Sequence, residues 1–391
     1  MTSLSHINEI RSHTSLRGVA ALIVVLVHFR SFFHASIDPD EVTFFLLKGY
    51  LWVDFFFILS GFILSYIYGI EHPERRPVSD ITRYLIARFA RIYPLHFISL
   101  LVVFLFFTMI SLVSWNKNDV FCCLFDGSFR DVESLIANLF LIHAWGMFDW
   151  VTWNLPSWSL STEFFCYLIF AALLAMEGPV RKLALLALAC IVLLYYGFSL
   201  ATGIDIDDNF RLSVVRAASA FSIGILLFLG RHIVSDLSGK WLTCLQFSAI
   251  AALLSSLHYG MADVLSIALM ALIVLLTWED RGWVCRWLAN RYLHTIGIYS
   301  YSIYMWHYLL KFIAQEDWEA YTGLPVQSSV IGSIIFVICL AILVIPISIW
   351  SYRSLEMPAR KWVSLRLAFL LETKDMPVRI RGASSAALAT N

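Results

Sequence analysis

Ten stretches of this chain are apolar over a length that crosses, or nearly crosses, a lipid bilayer: residues 16–33, 45–69, 95–113, 158–176, 183–201, 213–230, 240–257, 261–278, 293–312 and 328–350. A hydrocarbon core is spanned by about 20 apolar residues in a helix, so such a chain is expected to be an all-α, polytopic membrane helical bundle with about ten transmembrane helices. Composition agrees: 60% of the 391 residues are hydrophobic and 14% are charged, a balance that a water-facing surface does not tolerate. The formal net charge of zero gives no electrostatic footprint for nucleic acid. Seven scattered cysteines, most of them inside apolar runs, read as small core hydrophobes. The first apolar stretch runs into His34 and Asp38 without a small-residue cleavage site, so it is expected to stay in place as a signal anchor.

Loop charge sets the expected topology. Residues 135–150 are apolar but short, and are interrupted by Asn138, His143, Gly146 and Asp149. Counted as a partial or re-entrant segment, they leave Arg11 with Arg17, the cluster from Arg75 to Arg91, Arg181 with Lys182, and every later basic loop on one side. By the positive-inside rule that side is cytoplasmic, and both termini with it. Residues 1–371 then form a single membrane domain, and the polar residues 372–391 are expected to be a disordered cytoplasmic tail with no soluble domain after the last span.

Arg17 and His28 share the first span. Eleven residues of helix make about three full turns and rise roughly 16 Å, so both side chains lie on one face at different depths. Ionisable groups inside a span are a functional-site signal by default.

Six blocks, in order, resemble the acyltransferase 3 family. They are Leu16-Arg17-Gly18-Val19-Ala20-Ala21 leading to His28-Phe29; Phe55-Phe56-Phe57-Ile58-Leu59-Ser60-Gly61-Phe62; and Arg88-x-x-Arg91-Ile92-Tyr93-Pro94. Farther on come Pro156-Ser157-Trp158-Ser159-Leu160-Ser161-Thr162-Glu163, Ile298 through His307, and Glu356-Met357-Pro358. The resemblance covers nearly the whole chain. It implies an integral protein of a bacterial inner membrane, moving an acyl group, acetyl by expectation, from cytoplasmic acyl-CoA to a hydroxyl of a carbohydrate or lipid-linked glycan. No metal is expected, and the oligomeric state is left open.

Within that reading His28 is the expected general base, because a neutral imidazole can take the proton of an attacking hydroxyl; a transient acyl-histidine is the second role for it. Asp54, on the second span, is expected to orient the imidazole, or else to make a structural hydrogen bond. Arg88 and Arg91 stand three residues apart on one helical face, at what reads as the cytoplasmic entry of the third span, with Pro94 beginning the membrane helix. With Arg17 they are the expected phosphate ligands of the coenzyme, although positive-inside bias alone also explains basic residues there. Glu163 and His307 are expected in the outer halves of their spans as a second polar pair that receives the acceptor, or as packing residues. Trp145, Trp150, Trp153, Asn154 and Trp158 are candidate sugar contacts or interfacial anchors. Ser60 and Gly61 are read as a close helix approach rather than a nucleophile. A secondary transporter or flippase, which also places charge near the midplane, is the alternative function, and a non-catalytic scaffold is a third.

Overall fold

The structure, a computed structural model, describes residues 8–33, 39–113, 130–207, 210–322 and 329–375, with backbone alone at 39, 110, 113, 315–322 and 368–375. Its main helices are α1 (Arg11–Phe29), α2 (Leu51–Tyr68), α3 (Val78–Val113), α4 (Val132–Leu139), α5 (Ser157–Ala175), α6 (Gly178–Thr202) and α7 (Ser213–Leu229). They continue as α8 (Gly239–His258), α9 (Asp263–Thr277), α10 (Trp283–Leu288), α11 (Arg291–Thr322), α12 (Val330–Ser351) and α13 (Met357–Asp375). No strand occurs among the described residues, and the protein is an all-α polytopic bundle.

Eight helical stretches among the described residues are long and apolar enough to cross a membrane. The other two expected spans fall on α9 and α11. Helix α9 is apolar but has only 15 residues. Helix α11 is long, yet it carries Ser300, Ser302, Tyr304 and His307 into the protein interior, and that polar face lowers its hydropathy. Residues 135–150 do not form a continuous span. Helix α4 ends at Leu139, and the chain then proceeds irregularly, with Leu141 and Trp153 both in the left-handed region at φ 57° and 54°. Its outer part is tied to the start of α7 by the Arg211–Asp149 ion pair, whose hydrogen bonds hold the exposed Asp149 carboxyl below the usual carboxylate range. Helix α13 continues to Asp375; the expected tail beyond it lies outside the described residues, as do His34 and Asp38.

The third expected span differs most. Pro94 does not begin a helix but sits inside α3, whose 36 residues run from Val78. The proline removes one backbone donor, and the break is contained because α3 is gripped on both sides of it: before it the Tyr301 hydroxyl donates to the Ile92 carbonyl at 2.5 Å, and after it the His96 Nε2 stands 2.9 Å from the Asn138 carbonyl oxygen. Arg88 and Arg91 are therefore mid-helix residues turned into the protein, not members of a loop. Arg181, counted by its charge as a loop residue, is likewise buried. Its guanidinium donates to the carbonyls of Leu173, Ile70, Glu74 and Met176 at 2.8–3.1 Å and also to His72, satisfying the carboxyl end of α5.

Two glycine crossings set the helix positions. Helix α1 packs most extensively on α11, and α2 on α7. At the first crossing, a Cβ added to Gly18 would stand 2.6 Å from the Gly297 nitrogen, and one on Gly297 would stand 2.0 Å from the Thr14 carbonyl oxygen. At the second, a Cβ on Gly61 would stand 2.0 Å from the Phe221 carbonyl oxygen, and one on Gly224 would stand 2.1 Å from that of Ile58. Such backbone-to-backbone contacts are how helices associate where lipid removes the hydrophobic drive between them. Gly61→Ala or Gly224→Ala is expected to destabilise the protein by about 1–3 kcal/mol through overpacking, whereas Gly197→Ala, facing open space inside α6, should be neutral or stabilising by about 0.5–1 kcal/mol. Thermal unfolding in detergent checks the contrast, and equal behaviour of the three variants would contradict it.

Candidate active site

Two cavities lie side by side in the bundle, with Val53 and Tyr304 in the walls of both. The first, of about 120 Å³, is lined by Arg17 of α1, Ser60 of α2, Arg88 and Arg91 of α3, Glu163 and Tyr167 of α5, and Tyr301 of α11. At about 30 Å³ per water it has room for roughly four waters, enough for an anionic group or the end of a thioester arm but not for a nucleotide.

The arginines of this cavity are unequally neutralised. Arg91 pairs with the buried Glu356 at 3.0 Å, and Glu356 also accepts from the Ser302 hydroxyl at 2.8 Å. Glu356 lies in a turn of π-helix, Tyr352–Glu356, between α12 and α13; such turns recur at functional sites because the wider ring redirects a side chain. Glu163 accepts from Ser60 at 3.0 Å and from the Tyr167 hydroxyl at 2.7 Å. Arg17 and Arg88 have no carboxylate within 4 Å among the described residues, and the buried Arg88 Nε has no hydrogen-bond partner; Arg88 stands over the Tyr167 ring at 6.0 Å. Glu163 bears on both guanidinium groups across the cavity without a salt bridge to either, so the three arginines face two carboxylates, Glu163 and Glu356, and the wall keeps one positive charge in excess, which suits an anion. The structure thus brings Arg17, Arg88 and Arg91 together. It also puts Glu163 with them, although the sequence reading paired Glu163 with His307.

The second cavity, of about 500 Å³, is lined by His28 and Arg30, by Tyr50, Trp158 and Phe210, and by Asp207, Arg216 and Lys311. His28 is half-buried, and its ring lies 5.1 Å from that of His307, centroid to centroid, and 5.2 Å from that of Tyr308. The His307 Nδ1–H donates to the Tyr304 carbonyl at 2.7 Å, the tautomer being assigned from that acceptor, so the buried Nε2, which has no hydrogen-bond partner, carries a free lone pair. Tyr304 closes the wall between the cavities with a 2.8 Å hydrogen bond between its hydroxyl and that of Ser159.

Asp54 is not beside His28. It is fully buried and accepts from Arg216 Nε at 3.1 Å and Nη2 at 2.7 Å, while Arg216 Nη2 also donates to the Tyr50 carbonyl at 3.0 Å and Nη1 to Asp207. The reason is electrostatic: a carboxylate and a guanidinium taken out of water need each other more than either needs a neutral imidazole. The group that neighbours His28 is His307. Reasoning from the sequence missed Arg216, Glu356, Tyr304 and Lys311. Arg216 was open to the test that flagged Arg17, since it interrupts the apolar run 213–230. Of the aromatic residues considered for sugar contact, only Trp158 lines the cavity. Trp145 donates to the Ser161 carbonyl, Trp153 to the Ser134 hydroxyl, and Asn154 to the Ser99 hydroxyl, each at 3.0–3.1 Å, and these hold the irregular segment in place.

The profile of the acyltransferase 3 family, described as an acyltransferase domain, matches residues 13–353. The chain belongs to that family. Among individual proteins it is 30% identical over 178 residues to "Acyltransferase MdmB" of Streptomyces mycarofaciens, covering 44% of this chain and 41% of that protein. It is 40% identical over 92 residues to "Protein 2 in picA locus" of Rhizobium radiobacter, covering 24% of this chain and 42% of the relative. A longer match, 25% identical over 315 residues, covers 77% of this chain and 72% of "Putative membrane-bound transacylase BcsY" of Komagataeibacter xylinus. The match therefore spans about two fifths of the first two relatives' length. No solved structure matches significantly. Both cavities of this acyltransferase 3 chain are lined by residues inside the matched region, Glu356 alone of the named site residues falling just beyond it.

Asp54→Asn leaves Arg216 buried with Asp207 as its remaining carboxylate, and is expected to destabilise the protein by about 3–5 kcal/mol, with part of the loss recovered in Asp54→Asn/Arg216→Gln. Thermal unfolding of the two variants checks this. A single variant as stable as wild type would mean that the pair is not a structural tie.

Proposed function

We propose that this membrane protein catalyses acyl transfer from an acyl-CoA, acetyl-CoA by preference, to a hydroxyl of a carbohydrate or glycolipid, with the two cavities serving donor and acceptor. The observation that carries the proposal is the shared wall: the guanidinium groups of Arg17 and Arg88, neither with a carboxylate within 4 Å among the described residues, on one side of Tyr304, and the His28–His307 pair on the other. The small arginine cavity suits the phosphate-proximal part of the coenzyme, the nucleotide standing at its mouth, and an extended pantetheine arm matches the roughly 16 Å of helix rise from Arg17 to His28. Family membership and the printed names of two relatives, an acyltransferase and a transacylase, support the reaction class.

In this reading His28 accepts the proton of the acceptor hydroxyl as its oxygen attacks the thioester carbonyl. The C–O bond forms, the C–S bond breaks, and the imidazolium returns its proton to the departing thiolate. His307 acts as a positioning residue: its free Nε2 can accept a hydrogen bond from one His28 nitrogen, leaving the other as the base. At the junction, where the thioester oxygen acquires negative charge, the donor is the Tyr304 hydroxyl, with Ser159 turning its proton from the Pro156 carbonyl to Tyr304 as Tyr304 donates to that oxygen. The charge bias of the loops supports a cytoplasmic entrance for the donor in the inner membrane of a bacterium, with Lys240 and Arg360 inside and Gly203 outside. Cysteine labelling from each face tests that orientation, and labelling of positions 203 and 240 from the same face would contradict it.

His28→Ala is expected to lower turnover by about 10²–10⁴-fold while acetyl-CoA affinity on detergent-purified protein stays near wild type. Arg17→Ala and Arg88→Ala should instead weaken acetyl-CoA binding by roughly ten- to a hundredfold each, corresponding to the loss of a charge-assisted hydrogen bond of about 1.5–3 kcal/mol. Near-normal turnover without His28, or unchanged affinity without both arginines, would sink the assignment of the respective cavity.

A further inference from the structure

The charges around the histidine cavity balance in number, three cations against three carboxylates, but not in place. Arg216 is held by both Asp54 and Asp207, and Arg30 has Asp40 at 3.2 Å. Lys311, one turn beyond His307 on α11, lines the same cavity with no carboxylate within 4 Å and no hydrogen bond among the described residues. Its ammonium lies 5.3 Å from the centre of the Tyr308 ring. Arg30 bears on it with like charge, and both cations bear on His28. Two cations are thus gathered beside the reactive imidazole with a single carboxylate, Asp40, between them, and a half-buried, uncompensated ammonium is a poor arrangement until an anion joins it.

A lysine near the end of a membrane helix often turns its head group out to the lipid interface. Here Lys311 belongs instead to a wall that it shares with His28, Trp158 and Tyr304. The same cavity offers Asp207 as a hydroxyl acceptor and the rings of Trp158 and Phe210, 6.1 Å apart, as apolar faces. At about 500 Å³ the space is within the usual range for binding one small-molecule unit.

Resting on the acyl-transfer reading above, we propose that the acceptor is anionic: a hydroxylated, sugar-like unit carrying a carboxylate or phosphate that Lys311, with Arg30, holds while a hydroxyl faces His28. The distance between the cationic groups and the imidazole then selects which hydroxyl is acylated. Neutral glycans lack the handle and are poor acceptors.

The test uses the full-length protein in detergent, radiolabelled acetyl-CoA, and native membrane and surface-glycan extracts divided by anion exchange into neutral and anionic pools. Wild type is expected to label the anionic pool preferentially. Lys311→Met should lower that labelling by about tenfold or more, as for loss of a charge-assisted contact, while Lys311→Arg retains most of it and both variants bind acetyl-CoA as wild type does. Removing phosphates from the pool with hydrofluoric acid, or reducing its carboxylates after carbodiimide activation, shows which anion is the handle by which treatment abolishes labelling. Preferential labelling of the neutral pool, or undiminished labelling of the anionic pool by Lys311→Met, overturns the proposal and leaves acyl transfer standing. Labelling of neither pool by wild type removes the acyl-transfer reading, and the proposal with it.

Discussion

The contact between α1 and α11 at Gly18 and Gly297 is the constraint on which the site depends. Arg17 adjoins the first glycine, and Tyr301, Tyr304, His307 and Lys311 follow the second along successive turns of α11. Because the backbones touch, side chains from the two helices can meet across a narrow seam: His28 reaches His307, and Arg17 and Tyr301 share a cavity. A side chain larger than hydrogen at either glycine would force the helices apart and open that seam. The Gly61–Gly224 crossing does the same for α2 and α7, and it brings Asp54 within reach of Arg216.

Close packing of this kind makes buried charge tolerable but not free. Removing an ion from water is expensive, and the protein answers in two ways. Arg216 with Asp54, and Arg91 with Glu356, are compensated internally and read as structure; Arg181 is satisfied entirely by backbone carbonyls. Arg17, Arg88 and Lys311 have no carboxylate within 4 Å among the described residues, and each lines a cavity. Paired cations share those walls, Arg91 with the first chamber and Arg216 and Arg30 with the second, and in the proposed reading it is the unpaired ones beside them that leave room for an anionic ligand in each.

Much of this was legible in the chain. Apolar run length identified the all-α membrane bundle, and the interruptions at Asn138, His143 and Gly146 marked the segment that does not span. Arg17, His28, Arg88, Arg91, Glu163 and His307 all line or adjoin the two cavities. The pairings were harder to read, because they depend on which helices become neighbours. Asp54 and His28 occupy comparable depths, yet α2 turns its carboxylate toward α7, where Arg216 lies 162 residues away in sequence. Pro94 looked like a helix start because a proline is tolerated there; only tertiary contacts on either side of it, Tyr301 with Ile92 and His96 with Asn138, show why the helix continues through it. Hydropathy undervalued α11 for a related reason, since a helix that supplies the site's polar side chains resembles a poor membrane helix.

The central claim is that donor and acceptor meet across Tyr304 from two separate chambers. It is tested most directly by an experimental structure of the protein with a non-hydrolysable thioether analogue of acetyl-CoA. The account predicts coenzyme phosphates against Arg17 and Arg88, with the thioether sulfur at the Tyr304–Ser159 junction and its acyl carbon facing His28. Phosphates bound elsewhere, or an analogue that fills the His28 chamber from the Lys311 end, would contradict it.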